Sequence, residues 1–466
     1  MTSSDAFPMS KVNEERHADT GNIAHFEPTI LSLADFSKRV LVVGDIIIDK
    51  YIYGTCSRIA PECPIPVFDE DNEEYRLGGT GNVVNNLIAL GLAVDIVSIV
   101  GHDDKRTMRM LNQENVGISG LVMSENHSLK TITRYISNQH QCLRADKAGM
   151  CKFPEETQQM LLDKLKNLIA TREYHVVVMS DYGQGVFSET TAQFIISNSR
   201  RHGIPTIVDP GKRGRYDRFY GATYIKLNHR EICNYSDHKG DIVDACRDVC
   251  EKLKSQVCIA TLSEKGIAFY HKELSPQFQI LPIPRKSKVV DVCGAGDTVL
   301  AVLTFGIAHK IPLFESCQFS ILCSQNVIQN FGTSPVSLIN VLEQKIITTK
   351  QELENFKHFI PRAFKVILTV GSFDILDMGH LEYLRQAKEQ GDLLLVALNS
   401  DVSLTKCGNR PNIPLDQKCG MLLSTKYVDF IVTFDDAPKW IIDIVKPNIF
   451  ITGFGETDGQ TKSNNK

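Results

Sequence analysis

Short apolar runs that end in glycine or aspartate recur along the first part of the chain. The first is residues 40–43, a β-branched run followed by Gly44 and Asp45. Runs of this length and composition predict buried strands that end at the carboxyl edge of a sheet. Similar runs lie in the segments VDIVSIVG, HVVVMSDYG, IPTIVDPG and QVCIATLSEKG.

Helical periodicity separates these runs, for example at residues 155–170 and 190–202. An alternation of strands and helices predicts right-handed crossovers and an α/β domain, with a mostly parallel sheet covered on both faces. Ligands of such domains gather outside the carboxyl ends of the strands. The sequence places Asp45, Asp181, Asp209 and the loop at Gly266 at these ends.

The pattern changes after the segment FGTSPVS, where a polar, helix-prone stretch is closed by Pro361. That stretch predicts a connecting helix and linker, and the βαβ pattern after it predicts a second, smaller α/β domain. Residues 1–30 lack a sustained apolar period. We therefore predict a mobile tail at residues 1–30, a first domain at 31–345, a linker at 346–362 and a second domain at 363–466.

Composition narrows the classes of function. A chain of 466 residues exceeds what one hydrophobic core usually organises, which agrees with two domains. With 51 Lys and Arg against 55 Asp and Glu, there is no broad basic field for nucleic acid. No apolar run has the length of a membrane span or of a signal peptide. We expect a cytoplasmic protein that binds small molecules, with no nucleic acid and no membrane partner.

The segment DVCGAGDTVL carries the most specific chemistry. Gly294, Ala295 and Gly296 come directly before Asp297 at the start of a predicted helix. Small residues let successive N–H groups converge on an anion, and the helix dipole adds positive charge there. Such a cradle suits a phosphoryl group in transfer, and Asp297 could then accept a proton from an incoming hydroxyl. A glycine C-cap followed by an N-capping aspartate is an open alternative.

Other motifs allow close approach of a ligand. LGGTGN places Gly78, Gly79 and Asn82 before a helix, which suits a polyhydroxylated ligand or a simple turn. KLNHREI places Asn228 and Glu231 one helical turn apart, which suits the water shell of a divalent cation or an exposed helix start.

A further turn lies between two predicted strands, in the segment TLSEKG. Thr261, Glu264 and Gly266 of this segment could border a nucleotide, or they could form a hairpin and nothing more. The sequence leaves both interpretations open.

In this order, the motifs resemble the ribokinase-like family of carbohydrate kinases over roughly residues 39–340, and the D-x-x-G-A-G-D segment is the most specific mark. The resemblance implies ATP and Mg²⁺ as cofactors, Asp297 as the catalytic base and residues 294–296 as the anion hole. It implies further contacts to ATP from Thr261, Glu264, Gly266 and the segment Asn228, His229, Arg230 and Glu231. Within that segment, Asn228 and Glu231 would organise the metal, and Gly78, Gly79 and Asn82 would line the sugar site.

The segment GDIIIDKYIYG adds Asp45 and Asp49, which would face sugar hydroxyls in this family. Carboxylates accept hydrogen bonds from hydroxyls and reject analogues that lack them, although an N-cap or a surface turn is an alternative. The proline-rich segment YGTCSRIAPECPIPVFD indicates a lid or an edge strand. Together the two segments resemble the heptose 7-phosphate kinases. Arg58 would then contact the distal phosphate, with a surface arginine as the alternative.

The segment GSFDILDMGHLEYL resembles the cytidylyltransferase-like nucleotidyltransferases. The resemblance implies that Phe373, Asp374 and Gly379 bind the nucleotide and that His380 stabilises charge on its phosphates. A sugar kinase followed by this domain is the layout of the bifunctional enzymes of ADP-heptose synthesis. It implies a sugar phosphate and ATP as substrates, with a homodimer as one possibility.

The second domain departs from the family pattern at three places. Asp377 stands where the family has a first histidine, Thr452 replaces a lysine, and the chain stops at Lys466 before further phosphate-binding elements. A lost donor of this kind commonly costs about 10²-fold to 10³-fold in rate. We therefore expect impaired adenylyl transfer. The alternatives are a kinase for another sugar with an inactive second domain, and a nucleotide-binding protein without catalysis.

Overall fold

The computed structural model describes most of the chain. The described residues are 33, 36–102, 104–125, 127–138, 140–149, 152–211, 216–238, 240–274, 276–283, 289–341, 345–360, 364–401, 403, 412–435 and 437–452. The predicted mobile tail at residues 1–30 lies outside them. They form two compact units, one from Phe36 to Val341 and one that takes up the residues from Lys345 onward.

The first unit is built on a large twisted sheet. Nine strands of the described chain form it, in the order β13-β12-β11-β10-β9-β8-β1-β4-β5. Neighbours are parallel from β5 to β11, and only the β11-β12-β13 end is antiparallel. The strands are β1 Arg39–Gly44, β4 Ala93–Gly101, β5 Val116–Ser124, β8 Val176–Ser180, β9 Thr206–Asp209, β10 Tyr224–Asn228, β11 Val257–Thr261, β12 Ile267–His271 and β13 Phe278–Leu281.

Helices cover this sheet. They are α1 Thr80–Ala89, α2 Lys105–Leu111, α3 Glu155–Thr171, α4 Glu189–Arg201, α5 His229–Tyr235, α6 Ile242–Leu253, α7 Ala295–Ala308, α8 Leu313–Val327 and α9 Leu338–Val341. The fold class predicted from the alternation of strands and helices is confirmed. Residues 40–43 are fully buried, since a central parallel strand is covered on both faces and needs apolar residues on each.

In the part of the chain that the structure describes, the first unit also contains a smaller, four-stranded sheet whose strands pair with each other and not with those of the large sheet. Its strands, in the order β3-β2-β6-β7, are β2 Ile46–Ile59, β3 Pro66–Gly79, β6 Lys130–Ser137 and β7 His140–Lys147. The segment predicted to be a lid or an edge strand supplies the end of β2 and the start of β3. Its residues there are exposed, whereas the ends of both strands next to the large sheet are buried.

The strand order fixes where a ligand can bind. From β1 the chain moves outward through β4 to β5, and from β8 it moves the other way through β9 to β11. The loops after β1 and β8 therefore lie on either side of a topological switch point, where sheets of this kind form their ligand-binding crevice. Asp45 follows β1, and Asp181 with Tyr182 follows β8, so the switch point carries the polar residues of interest.

The second unit is a smaller parallel sheet with helices. Five strands of the described residues pair in the order β14-β17-β16-β15-β18, all parallel. They are β14 Ile346–Ile347, β15 Val366–Gly371, β16 Leu393–Asn399, β17 Phe430–Phe434 and β18 Ile449–Thr452. The helices are α10 Lys350–Phe359, α11 Met378–Glu389, α12 Leu415–Ser424 and α13 Lys439–Val445. Strands β15 and β16 with α11 form the βαβ unit that the sequence predicted.

The linker predicted at residues 346–362 is not a linker in its described part. Ile346 and Ile347 form β14 and pair with Ile431 and Val432 of β17. Helix α10 follows, and Phe356 packs its ring against Phe430 at a centroid distance of 4.5 Å. This stretch is mostly polar, so its sequence did not reveal that it makes buried aliphatic and aromatic contacts with the second unit. A few apolar residues on one face are enough to dock a short helix.

Within the described residues, no helix combines the length and the apolar character that crossing a bilayer requires.

Candidate active site

The first turn of α7 is shaped by two glycines. Gly294 is the N-cap in a left-handed conformation, with φ of 80°, which glycine adopts without strain. A Cβ atom on Gly294 would lie 2.8 Å from Nδ2 of Asn82. A Cβ atom on Gly296 would lie 3.5 Å from Nζ of Lys226. The helix start therefore faces an amide and an ammonium group at close range.

Asp297 lies in this first turn and is 5% exposed. Its Oδ2 accepts a hydrogen bond of 2.8 Å from Nδ2 of Asn82, and its Oδ1 accepts one from the hydroxyl of Tyr182. Burial raises the pKa of Asp297 to about 6, although the bonds from Asn82 and Tyr182 act in the opposite direction. A carboxylate with this pKa is ionised near neutral pH and can still take up a proton, as a general base must.

A buried ion pair lies beside the same helix start. Lys226 of β10 is 4% exposed, and its Nζ pairs with Oδ2 of Asp209 at the end of β9. Burial is the largest single effect and favours the neutral amine, but the charge and hydrogen bond of Asp209, with the charges of Glu231 and Asp297, together raise the pKa of Lys226. Lys226 thus stays positively charged next to Gly296, where an anion would meet the first-turn amides of α7.

Asp45 has both oxygens occupied by main-chain donors. Oδ2 accepts from the N–H groups of Tyr182 and Gln184 at 2.9 Å and 3.0 Å, and Oδ1 accepts from Val186 at 3.1 Å. Burial, followed by the charge of Asp181, raises the pKa of Asp45 to about 6. Asp45 was predicted to face sugar hydroxyls, and the structure instead shows it holding the loop after β8.

Asp49 lies at the junction of the small sheet with the crevice and is 3% exposed. Its Oδ1 pairs with Arg134 of β6, and its Oδ2 accepts a bond of 3.3 Å from Oγ1 of Thr333. A Cβ atom on Gly78 would lie 2.3 Å from Oδ2 of Asp49, so the neighbouring strand needs glycine there. Arg134 also donates from Nη2 to Sγ of Cys293, just before the α7 glycines, at 3.5 Å.

Helix α1 begins after Gly79, its N-cap residue. Asn82 lies in its first turn and is 1% exposed, and Asn86 one turn later donates 2.8 Å to the carbonyl of Asn82. Oδ1 of Asn86 accepts from Oγ1 of Thr298 at 3.2 Å. Helices α1 and α7 are therefore joined by polar contacts, and the predicted residues Asn82 and Asp297 meet.

Asn228 and Glu231 form a capping box at the start of α5. Oδ1 of Asn228 accepts from the N–H of Glu231 at 3.0 Å, and Oε2 of Glu231 accepts from the N–H of Asn228 at 2.9 Å. The pair thus has the structural role that the sequence left open. Between them, His229 lies 3.8 Å by Nε2 from Sγ of Cys233, and Arg230 is exposed.

The TLSEKG segment is a hairpin between antiparallel strands. Thr261 pairs with Ile267, and the N–H of Leu262 donates 2.8 Å to the carbonyl of Gly266. Glu264 is exposed at the tip.

Arg58 lies far along β2, on the exposed part of the small sheet. Its Nη2 and Nε pair with the two carboxylate oxygens of Asp69 at 2.9 Å and 3.4 Å. This exposed, two-point ion pair is the surface arginine that the sequence kept as the alternative.

In the second unit, polar groups meet at the carboxyl edge of the sheet. Asp374 accepts from the N–H groups of Asn412 and Ile413 at 3.0 Å and 3.3 Å. Nζ of Lys418, whose side chain is fully buried, lies 3.9 Å from Asp374 and 3.4 Å from Asp401. Asp374 and Asp401 therefore bind the main chain just before and at the start of α12, and both lie near the buried ammonium group of Lys418.

The start of α11 is capped by the residue that replaces histidine. Oδ1 of Asp377 accepts from the N–H of His380 at 2.9 Å and lies 2.7 Å from Nδ1 of the same residue. These bonds from His380 lower the pKa of Asp377. Phe373 is buried with its ring 5.7 Å from that of His380, and Gly379 lies in the first turn between the two partners. The predicted nucleotide-binding residues of this unit are thus brought together.

Sequence reasoning missed several residues of these sites. Lys226 was detectable, since a lysine inside the apolar strand YIKLN must find a partner for its charge. Arg134 and Tyr182 gave no periodic signal, because their neighbours at the site come from strands distant in sequence.

Two family patterns match the chain. Residues 37–339 match the pfkB family of carbohydrate kinases, and residues 368–453 match a family described as cytidylyltransferase-like. Over a longer stretch, the chain is 35% identical to the bifunctional protein HldE of Sulfurimonas denitrificans, covering 92% of this chain and 92% of that protein. It is 36% identical to the protein of the same name from Campylobacter curvus, covering 89% and 90%.

Solved structures agree with the fold of the first unit. Phosphofructokinase-2 of Escherichia coli, in complex with substrates and products, superposes with a TM-score of 0.55 at 17% identity and covers 65% of this chain and 97% of its own. Ribokinase of Arabidopsis thaliana, complexed with ribose and ATP, gives 0.51 at 15% identity and covers 66% and 99%. The sequence matches identify the chain as a member of the bifunctional HldE family, whose first part is a pfkB family carbohydrate kinase.

Proposed function

We propose that the first unit phosphorylates the anomeric hydroxyl of a heptose 7-phosphate with ATP, giving heptose 1,7-bisphosphate. The second unit transfers AMP from ATP to heptose 1-phosphate, giving ADP-heptose. The bifunctional relatives and the two family matches support the pairing of a kinase with a nucleotidyltransferase. The observation that carries the kinase proposal is Asp297, a buried carboxylate at a glycine-flanked helix start beside the cation Lys226.

Asp297 is the general base of the proposed kinase reaction. It removes the proton from O1 of the sugar as that oxygen attacks the γ-phosphorus of ATP and ADP leaves. Negative charge grows on the equatorial phosphoryl oxygens, and the N–H groups at the start of α7 (residues 294–296) stabilise it together with Lys226. The bond from Asn82 to Oδ2 keeps the carboxylate oriented toward the crevice.

The sugar lies at the switch point under the small sheet. Asp49 and Gly78 border this position, and the guanidinium group of Arg134, which pairs with Asp49, lies on the same side of it. We assign Asp49 and Asn82 to sugar hydroxyls, and Gly78 and Gly79 to close approach of the backbone. Asp45 acts indirectly by holding the loop after β8. Contact between Arg58 and the distal phosphate requires its exposed pair with Asp69 to open.

Magnesium fits the kinase site as an ion that arrives with ATP. Sites for Mg²⁺ commonly use one or two protein groups and otherwise phosphates and water. Among the described residues, no group of three or more His, Cys, Asp or Glu side chains is arranged to hold a metal ion. Asn228 and Glu231 at the start of α5 are the residues that would hold it, which requires oxygens now engaged in their capping box to turn toward the ion. The ion would neutralise charge on the phosphates.

ATP binding by the first unit is assigned to the edge formed by α5 and the β11–β12 hairpin. We propose contacts from His229, Arg230, Thr261, Glu264 and Gly266. The proposal rests on their positions at the carboxyl ends of β10 and β11, next to the β9 end that carries Asp209.

In the second unit, the nucleotide phosphates approach the start of α11. His380 donates to them, with Phe373, Asp374 and Gly379 shaping the loop after β15. Asp377 places a carboxylate at the same helix start and takes one ring nitrogen of His380, which opposes the binding of a triphosphate. We therefore propose that adenylyl transfer is slow relative to the kinase reaction.

The kinase proposal is tested with Asp297→Asn. Phosphorus NMR of ATP with heptose 7-phosphate detects heptose 1,7-bisphosphate for the wild type and none for the variant, while ATP still binds. Full activity of the variant would remove Asp297 from the mechanism. If product forms with other sugar phosphates but not with heptose 7-phosphate, the proposed substrate is wrong, whereas the role of Asp297 as the base still stands.

The second activity is tested separately, by pyrophosphate release from ATP with heptose 1-phosphate. The proposal expects slow but measurable release that depends on His380. Release by His380→Ala at the wild-type rate would contradict it.

A further inference from the structure

Tyr182 lies where the loop after β8 enters the crevice. Its main-chain N–H donates 2.9 Å to Asp45, and its carbonyl accepts 3.0 Å from Nε2 of Gln184. The N–H of Gly183 donates 2.7 Å to Asp181. The backbone at Tyr182 is thus fixed by three neighbouring bonds, so the position of its ring is set by the fold rather than by a free loop.

The hydroxyl of Tyr182 is bound to the proposed base. It donates to Oδ1 of Asp297, and Asn82 donates to Oδ2, so each oxygen of the carboxylate already accepts a hydrogen bond. Burial, followed by the charge of Asp297, raises the pKa of Tyr182 well above its usual value, so the phenol remains a donor. Tyr182 therefore presents to Asp297 the same group that a sugar presents, which is an O–H.

This arrangement bears on a problem that every sugar kinase faces. A base beside the γ-phosphate of ATP can activate water as well as an alcohol. Water would lose a proton to Asp297, its oxygen would bond to the γ-phosphorus, and the bond to the β,γ-bridging oxygen would break, giving ADP and phosphate. A sugar brings binding energy from its remote groups to displace a competing donor, and water does not.

We propose that Tyr182 is a positioning residue that occupies Asp297 in the absence of sugar and so suppresses hydrolysis of ATP. When the sugar binds through its remote groups, its hydroxyl replaces the hydroxyl of Tyr182 as the donor to Oδ1 of Asp297. This inference rests on the role proposed above for Asp297. It assigns Tyr182 to the choice between alcohol and water, which is distinct from the transfer step itself.

The test is Tyr182→Phe in the full chain. ADP formation from ATP without sugar is expected to rise at least about tenfold, whereas sugar phosphorylation changes by less than about tenfold, because the sugar hydroxyl already displaces Tyr182 from Oδ1 during transfer. Tyr182→Met removes the same hydroxyl with a flexible side chain and should shift the ratio of hydrolysis to transfer in the same direction. It keeps the proposal testable if the phenylalanine variant fails to fold.

Tyr174→Phe is the matched control. Tyr174 donates 2.9 Å to Asp95, another buried Tyr–Asp pair, at the opposite end of the strands. Its loss should leave the ratio of hydrolysis to transfer unchanged.

Two outcomes separate this inference from the proposed function. If Asp297→Asn abolishes transfer but neither Tyr182 variant raises hydrolysis, the inference is overturned and the base remains. If Asp297→Asn retains transfer, the proposed function itself fails. In Tyr182→Phe combined with Asp297→Asn, the extra hydrolysis should disappear, and its persistence would mean that Asp297 does not activate the water.

Discussion

Asn82 donates a 2.8 Å hydrogen bond to Asp297, joining the first turns of two helices that are more than 200 residues apart in sequence. One residue comes from a glycine-rich turn predicted to face a sugar, and the other from the turn predicted to face a phosphoryl group. Their contact places the two predicted half-sites next to each other.

The kinase reaction should lose activity on the acid side near pH 6. Burial raises the pKa of Asp297 to about 6, and only the ionised form can accept the proton of the sugar. The value of kcat/KM should therefore fall as pH drops through about 6. Steady-state rates of ADP formation with sugar present measure this limb. A rate that is constant down to pH 5 would contradict the assignment of about 6 to the base.

Asp297→Asn should stabilise the first unit at neutral pH while it removes activity. A carboxyl group whose pKa is raised on folding destabilises the native state at pH values above the raised pKa. It has no such effect at pH values below the pKa of the unfolded chain, which is 3.8 for this group. The shift of about two units corresponds to up to about 3 kcal/mol in the free energy of unfolding. Calorimetry at pH 8 should show a higher Tm for the variant, and the gain should disappear near pH 4. A lower Tm at pH 8 would contradict this.

Arg134→Met should destabilise the first unit strongly. The substitution leaves Asp49 buried at 3% exposure without its cation, which costs about 3–5 kcal/mol for pairs of this kind. Arg58→Met removes the exposed pair with Asp69 and serves as the control, and it should cost far less stability because exposed ion pairs contribute little. Thermal unfolding compares the two variants. Equal losses would show that burial of the Asp49 pair does not matter.

Asp377→Asn should accelerate adenylyl transfer. Asparagine also caps helices, so the hydrogen bond to the N–H of His380 is kept while the negative charge at the phosphate site is lost. Pyrophosphate release from ATP and heptose 1-phosphate should rise by about tenfold, since one close charge repulsion is relieved. Glu382→Gln removes an exposed negative charge one turn later on α11 and should leave the rate unchanged. No change in Asp377→Asn would show that the carboxylate is not what slows this unit.

Trp440, the single tryptophan of the chain, lies in α13 and reports folding of the second unit. Its fluorescence should be unchanged in Asp377→Asn, which confirms that a difference in rate arises at the site and not from unfolding.

The sequence by itself determined the strands that end in glycine or aspartate, the helix that begins at Ala295, and the βαβ unit around Phe373. These features are local, because a buried parallel strand needs a continuous apolar run and a tight helix start needs glycine. Motif spacing also predicted Asp297 and Asn82 as site residues. It did not reveal that residues 346–359 belong to the second unit, since a two-residue strand and a polar helix carry almost no periodic signal.

Only the tertiary structure decided which polar groups engage each other. It turned Asp45 toward the amides of its own loop, closed Asn228 and Glu231 into a capping box, and placed Tyr182 and Lys226 beside Asp297. The physical reason is that a buried charge must be satisfied by whatever donors the strand order brings near it. Strand order depends on pairings between distant segments, and no local pattern encodes the outcome.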